Sequence, residues 1–103
     1  MTTIIISAYK AQHVANSLQV ARACAFERAY ANPDVFWKNA GLKIAKSIDE
    51  LFNLVDAAAD NETAVRIDTR EHENALLAAA SIAREWESDP GHLVGIVYDA
   101  GLI

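Results

Sequence analysis

Cysteine and histidine are the residues of this sequence best suited to metal binding or nucleophilic catalysis, and they are few. The chain has one cysteine, Cys24, and three histidines, His13, His72 and His92. Cys24 and His13 are eleven residues apart, about 16 Å along a single helix at 1.5 Å per residue, so they cannot pair within that helix. No two of these residues have the spacing of a zinc site. The sequence therefore predicts no metal, no cofactor and no catalytic cysteine.

Other signatures of catalysis or of membrane contact are also missing from the sequence. It contains no Gly-x-Ser-x-Gly elbow and no glycine-rich phosphate loop. One cysteine allows no internal disulfide, which favours a reducing compartment. The first residues carry only a three-isoleucine apolar run, too short for a signal peptide or a membrane span. We therefore expect a non-enzymatic, cytoplasmic protein without membrane contact.

Carboxylates are the most numerous charged groups, and they are unevenly distributed. Residues 1–46 carry a net charge of +4 and residues 47–103 a net charge of −9, which together give −5. Such a field mainly affects encounter rates and partner choice, although the two halves could also neutralise each other inside the molecule. The favoured prediction is a protein partner with a basic surface. The carboxylates predicted to contact it are Asp49, Glu50, Asp56, Asp60, Glu62, Glu71, Glu73, Glu85 and Glu87.

Two adjacent aromatic residues, Phe36 and Trp37, are the other predicted contact residues. One helix cannot bury both against the same neighbour, so they either form an aromatic hot spot at an interface or close an end of the core. Together with the carboxylates they predict a small acidic protein-binding module. Its sharpest version is a phage-type inhibitor that occupies a basic surface of a nucleic-acid-binding host complex.

Two alternative functions come from other features. Residues 34–51 look distantly like a helix-turn-helix with its turn at Gly41, which would suit a small nucleic-acid or nucleotide-binding regulator. Its basic side chains would be Lys38, Lys43 and Lys46. Trp37 stands where a small residue is usual, and acidic residues occupy the second helix, so nucleic acid is disfavoured. The second alternative is a structural homo-oligomer, assembled through its apolar ends.

Hydrophobic spacing and capping residues predict the elements that would position these side chains. Residues 8–31 have apolar residues at alternating intervals of four and three, as in a helix. Asp68 or Thr69 can cap an alanine-faced helix over residues 68–87, and Glu71 completes a capping box with Asp68. The small residues on both helices favour a close antiparallel pair.

Shorter helices are predicted between and after these two. Pro33, capped by Asn32, opens a helix that ends at Gly41, and a capping box of Ser47 and Glu50 opens the next helix. Residues 89–102 repeat the first of these patterns, from Asp-Pro to Ala-Gly-Leu, and either convergent capping chemistry, which we favour, or a duplicated helix pair would explain the match. For residues 93–98 we favour helix over strand.

One β feature is allowed by the pattern. Residues 63–68 alternate apolar and polar side chains, as in a short strand, and residues 2–6 or 42–45 could pair with it. The predicted fold is therefore mainly α: one domain over residues 1–103, a compact bundle of about five helices, with room for a small two-stranded β patch.

Overall fold

A computed structural model describes residues 3–86 and 91–102 of the chain. In chain order its elements are β1 (Thr3–Ile6), α1 (Ala8–Ala31), α2 (Val35–Asp60), β2 (Val65–Asp68), α3 (Glu73–Trp86) and α4 (Gly91–Asp99). The predicted mainly α class and the small β patch are confirmed. The described residues form four helices rather than five.

The first helix has the predicted bounds, and a short turn joins it to α2. The Ser7 hydroxyl caps α1 by accepting a hydrogen bond from the Lys10 backbone N–H. Asn32 is the C-cap of α1 and not, as predicted, the N-cap of the next helix. That cap is Asp34, whose carboxylate accepts from the Trp37 N–H at 3.1 Å.

The predicted break at Gly41 is wrong, because α2 runs through it without interruption. A Cβ added at Gly41 would lie 3.0 Å from the Ala29 Cβ, so the glycine allows α1 and α2 to approach closely. The predicted capping box is wrong for the same reason. Ser47 lies inside α2, where its hydroxyl donates to the Ile44 carbonyl at 2.6 Å.

The C-terminal end of α2 is closed by a Schellman motif, at the break predicted from residues 60–62. Thr63 N–H donates to the Ala58 carbonyl, and Glu62 N–H donates to the Ala59 carbonyl. Glu62 takes the left-handed position of this motif, with φ of 54°. A non-glycine residue there is strained.

The two strands form an antiparallel pair in which Thr3 lies opposite Asp68 and Ile6 opposite Val65. The strand predicted over residues 63–68 is therefore confirmed, with its partner among residues 2–6. The other candidate partner, residues 42–45, is wrong, because these residues belong to α2.

The third helix begins later than predicted. Asp68 ends β2, and its carboxylate accepts from the backbone N–H groups of Arg70 and Glu71 in a turn that precedes Glu73. Asp68 therefore organises a turn rather than the first turn of the helix. The predicted final residue, Glu87, lies outside the described residues.

The last segment is a helix, as favoured, and it stops where predicted. Gly101 has φ of 75°, and Leu102 N–H donates to the Val97 carbonyl at 3.1 Å. This is a Schellman motif with glycine at the left-handed position.

The core lies where α1, α2 and α3 meet, with α4 and the sheet closing its sides. The expected pairing of α1 with α3 exists, but α1 packs more extensively against α2. The largest fully buried side chains are Leu18, Ile48, Leu51, Ile67, Leu76, Leu93, Val14, Val55 and Val97. Among the described residues, no helix is long and apolar enough to cross a membrane.

Candidate functional site

An apolar seam runs the whole length of α2, and two large side chains in its N-terminal part are exposed. Its members recur at alternating intervals of four and three residues: Trp37, Gly41, Ile44, Ile48, Leu51, Val55 and Ala58. The last four are buried in the core. Ile44 and Trp37 are exposed. In the N-terminal part of the seam, Gly41 packs against Ala29 of α1, while Trp37 and Ile44 on either side of it are exposed.

Further large apolar side chains are exposed at this end of α2. We call Tyr30, Val35, Phe36 and Trp37 the hairpin tip, since they flank the turn between α1 and α2. Phe36 is 70% exposed and Trp37 61%, and their rings meet edge to face with centroids 5.0 Å apart. Lys38 Nζ lies 5.7 Å from the centre of the Tyr30 ring. Both predicted aromatic contact residues therefore lie at the surface.

The area of the hairpin tip can be compared with that of an interface. A buried aromatic side chain covers about 150–250 Å², so three of them exposed to 61–70% offer roughly 300–500 Å². A standard interface buries about 800 Å² per partner, of which about 56–65% is apolar. The hairpin tip is thus close in size to the apolar part of one such interface.

Two of the predicted carboxylates, Glu50 and Glu71, lie together. They line two adjoining grooves of about 400 and 660 Å³ between α2 and the turn before α3. His72 lines both grooves, Lys43 lines the first, and Arg66 lines the second. The grooves are therefore of mixed charge, with exposed carboxylates near their shared middle.

Two other predicted carboxylates are paired within the molecule. Asp49 accepts from Arg22 at 2.9 Å, and that guanidinium also lies 4.4 Å from the centre of the Phe52 ring. Glu85 pairs with Arg28, which links α3 to α1 and raises the pKa of Arg28 above its usual value. Both acids thus pair with arginines from the first half of the chain. This agrees with the alternative that the two halves neutralise each other inside the molecule.

The remaining predicted carboxylates are spread over other surfaces. Asp56 and Asp60 follow Asp49 at intervals of seven and four residues, so the three share one side of α2. Glu62 lines a shallow pocket at the end of α2, and Glu73 is exposed in the first turn of α3. Glu87 cannot be placed, since it lies outside the described residues. The structure therefore does not gather the predicted carboxylates into one patch.

The helix-turn-helix interpretation of residues 34–51 is wrong, because the structure has no turn in this segment. A single continuous helix covers Val35–Asp60, so the segment contains no turn that could present a separate recognition helix. The basic side chains Lys38, Lys43 and Lys46 belong to that one helix. Within residues 3–86 and 91–102, no group of three or more His, Cys, Asp or Glu side chains is placed to hold a metal ion.

Sequence reasoning missed Ile44 as a surface residue of α2, and for Tyr30 it left core and contact equally open. The sequence did contain evidence for a continuous helix: apolar residues recur at intervals of four and three from Trp37 to Ala58, without a break at Gly41. The predicted stop at Gly41 divided that pattern in two. No protein-family model, curated protein or solved structure matches the chain. A proposal about function therefore rests on the surface itself.

Proposed function

We propose that this chain is a non-enzymatic protein-binding module that docks its hairpin tip on a partner protein with a basic surface. One observation carries the proposal: Phe36 and Trp37 stand side by side, both more than half exposed, at the start of a long helix. Trp and Tyr are among the residues that most often dominate binding energy, and exposed aromatic clusters are uncommon on proteins that bind nothing.

The backbone of the hairpin tip is fixed by a helix cap. A fixed backbone favours a binding role for the exposed aromatic rings. The Asp34 carboxylate caps α2 at the Trp37 N–H, so the backbone that carries both aromatic rings is held in place. Trp37 also lies in register with the buried seam of α2. A partner that packs against the exposed surfaces of Trp37 and Ile44 contacts side chains already fixed on a formed helix, with little loss of conformational entropy in that helix.

The charge of the chain supports a basic partner. The net charge is −5, and exposed Glu50 lies further along α2, beyond Ile44, with exposed Glu71 across the same groove in the turn before α3. Carboxylates placed beside an apolar contact raise association rates with a basic surface and exclude acidic ones. The sharpest version remains an inhibitor of phage type that covers a basic surface of a nucleic-acid-binding complex.

The test compares the binding of tip variants with that of a matched control. The immobilised chain is exposed to a lysate of the cells in which it naturally occurs, and the proteins retained by the wild type are quantified. We expect Trp37→Ala to weaken retention by at least about 30-fold, as for a hot-spot residue worth about 2 kcal/mol. Tyr98→Ala, at a residue equally exposed on α4, should retain the same proteins as the wild type.

The role of the carboxylates is measured separately once a retained protein is known. Glu50→Gln combined with Glu71→Gln should slow association and weaken its dependence on salt, with a smaller effect on dissociation. Retention that is unchanged by Trp37→Ala and Phe36→Ala together would contradict the proposal about the hairpin tip. An association rate that does not respond to salt would contradict the basic partner.

A further inference from the structure

The two adjoining grooves between α2 and the turn before α3 form one continuous surface, which we call the α2 groove. They share Glu50, Glu71 and His72. The wall supplied by α2 extends from Ala40 to Ala57, about 26 Å at 1.5 Å per residue. The opposite wall comes from β2, the turn after it and the start of α3. The α2 groove is therefore long enough to hold a segment of another chain.

Each half of the α2 groove has one large exposed aliphatic side chain. Ile44 lines the first half and is 42% exposed, and Leu54 lines the second half and is 46% exposed. Ten residues separate them, about 15 Å along the helix. Apolar side chains that line a groove are the usual anchor points for a bound segment. The α2 groove thus offers two apolar contacts at a fixed separation.

Two carboxylates lie between these apolar contacts, one on each wall. Glu50 follows Ile44 by six residues and precedes Leu54 by four, which places it about 9 Å and about 6 Å from them along the helix axis. Glu71 lines the same two halves of the groove from the turn. Within the described part of the chain, neither carboxylate forms an ion pair. The middle of the α2 groove therefore has two carboxylates available to a cation.

Basic side chains limit how many cations the α2 groove can hold. Lys43 lines only the first half and Arg66 only the second, so both lie away from the shared middle. A run of several basic residues would place like charges beside these two side chains, which is unfavourable. The charge pattern therefore fits an occupant with a single cation at its centre.

We propose that the α2 groove binds an extended segment of the basic partner in which one arginine lies between two apolar residues, each two positions away. The inference rests on the proposed function for the existence of such a partner. Alternate residues of an extended chain point to the same side, and residues four positions apart are about 13–14 Å from each other. That span matches the separation of Ile44 and Leu54, and the central residue then lies near Glu50. Arginine fits better than lysine because its guanidinium has five donors and can bond to carboxylates on both walls.

The test is an NMR titration of the isotope-labelled full chain with the peptide Leu-Ser-Arg-Ser-Leu, capped at both ends. We expect saturable shifts of the amide signals of Glu50, Glu71 and His72 at millimolar peptide. Citrulline in place of the arginine has nearly the same shape and no charge, and it should weaken binding about fivefold, as for an ion pair open to solvent. The isomer Leu-Arg-Ser-Ser-Leu turns the arginine to the other side of the chain, and it should bind as weakly as the citrulline peptide.

Variants of the chain locate the bound peptide. Glu50→Gln combined with Glu71→Gln should weaken binding of the arginine peptide about fivefold and leave that of the citrulline peptide unchanged. Ile44→Ala should weaken binding about threefold through lost apolar contact. Val20→Ala, at a residue equally exposed on α1, should have no effect. Trp37 lines neither half of the groove, so Trp37→Ala should not change the titration.

Several results would overturn the proposal. One is the absence of saturable shifts in the α2 groove. Others are equal binding of the arginine and citrulline peptides, of the two peptide isomers, or of the wild type and the double glutamine variant. Unchanged amide signals away from the groove show that each variant is folded. Failure of the peptide to bind leaves the retention experiment with Trp37→Ala unaffected, so this proposal and the proposed function can fail separately.

Discussion

Gly41 allows the close approach of α1 and α2, and replacing it with alanine tests that contact. Alanine in a helix interior is favoured over glycine by about 1 kcal/mol. At Gly41, however, the new Cβ would lie 3.0 Å from the Ala29 Cβ and 3.4 Å from its Cα, so the two helices must separate by a few tenths of an ångström. Overpacking of this kind costs about 1–3 kcal/mol. Taking the middle of that range, Gly41→Ala should lower the free energy of unfolding by about 1 kcal/mol.

Gly95 is the matched control. It also lies inside a helix, α4, but a Cβ there has no atom within 4 Å. Gly95→Ala should therefore raise the free energy of unfolding by about 0.5–1 kcal/mol. Thermal and urea unfolding of both variants measures the difference. For a domain of this size, 1 kcal/mol corresponds to about 4–8 °C in Tm.

The reciprocal change separates a close approach from a helix stop. Combining Gly41→Ala with Ala29→Gly moves one methyl group across the contact and leaves helix propensity unchanged in total. The double variant should return to near wild-type stability, with a coupling energy of about 2 kcal/mol. If Gly41→Ala stabilises as much as Gly95→Ala, the helices do not touch there. If it destabilises without coupling to Ala29, the glycine is needed for its backbone conformation and α2 is broken.

Three further changes test the caps, the ion pairs and the core. Glu62→Gly should raise the free energy of unfolding by about 0.5–1 kcal/mol in urea titrations, because φ of 54° suits glycine better, and a loss would contradict the Schellman geometry. A double-mutant cycle between Arg28 and Glu85 should give a coupling below about 1 kcal/mol that fades in high salt, since both side chains are more than half exposed; a larger, salt-resistant value would refute this. Arg28 stays charged between pH 5 and 9, because its raised pKa lies above that window, so it adds no pH dependence there. Leu51→Ala should cost about 2–5 kcal/mol in the same urea titrations, and a cost below about 1 kcal/mol would mean that the seam of α2 is not packed as described.

Local patterns predicted much of this fold because local interactions decide those parts. Helix α1 follows from its apolar spacing, and the strand over residues 65–68 follows from its alternation. The end of α4 follows from Gly101, where a left-handed residue is required. In each case the residues that carry the signal also make the contacts that close the element.

The failures occurred where tertiary packing overrides the same signals. Asn-Ala-Gly-Leu at residues 39–42 and Asp-Ala-Gly-Leu at residues 99–102 are nearly identical, yet only the second ends a helix. At Gly41 the glycine serves the approach of Ala29, and the helix continues into the buried part of its seam. The prediction of a helix start at Ser47 failed for a similar reason. Its hydroxyl donates a hydrogen bond to the Ile44 carbonyl within α2 instead of capping a new helix.

The candidate site could be predicted only in part. Phe36 and Trp37 stood out because two adjacent aromatic residues cannot share one neighbour, and both lie at the surface. The distribution of the carboxylates depends on which helices meet. Asp49 and Glu85 find arginines 27 and 57 residues away in sequence, and no local pattern carries that information.

Site-specific photo-crosslinking tests the proposed docking of the hairpin tip most directly. Benzoylphenylalanine replaces Phe36 in the full chain, expressed in the cells where the chain naturally occurs, and the same residue replaces Tyr98 in a parallel sample. On irradiation, position 36 should form a covalent adduct with a basic partner protein, and position 98 should not. The absence of an adduct at position 36, or equal adducts at both positions, would contradict binding through the hairpin tip.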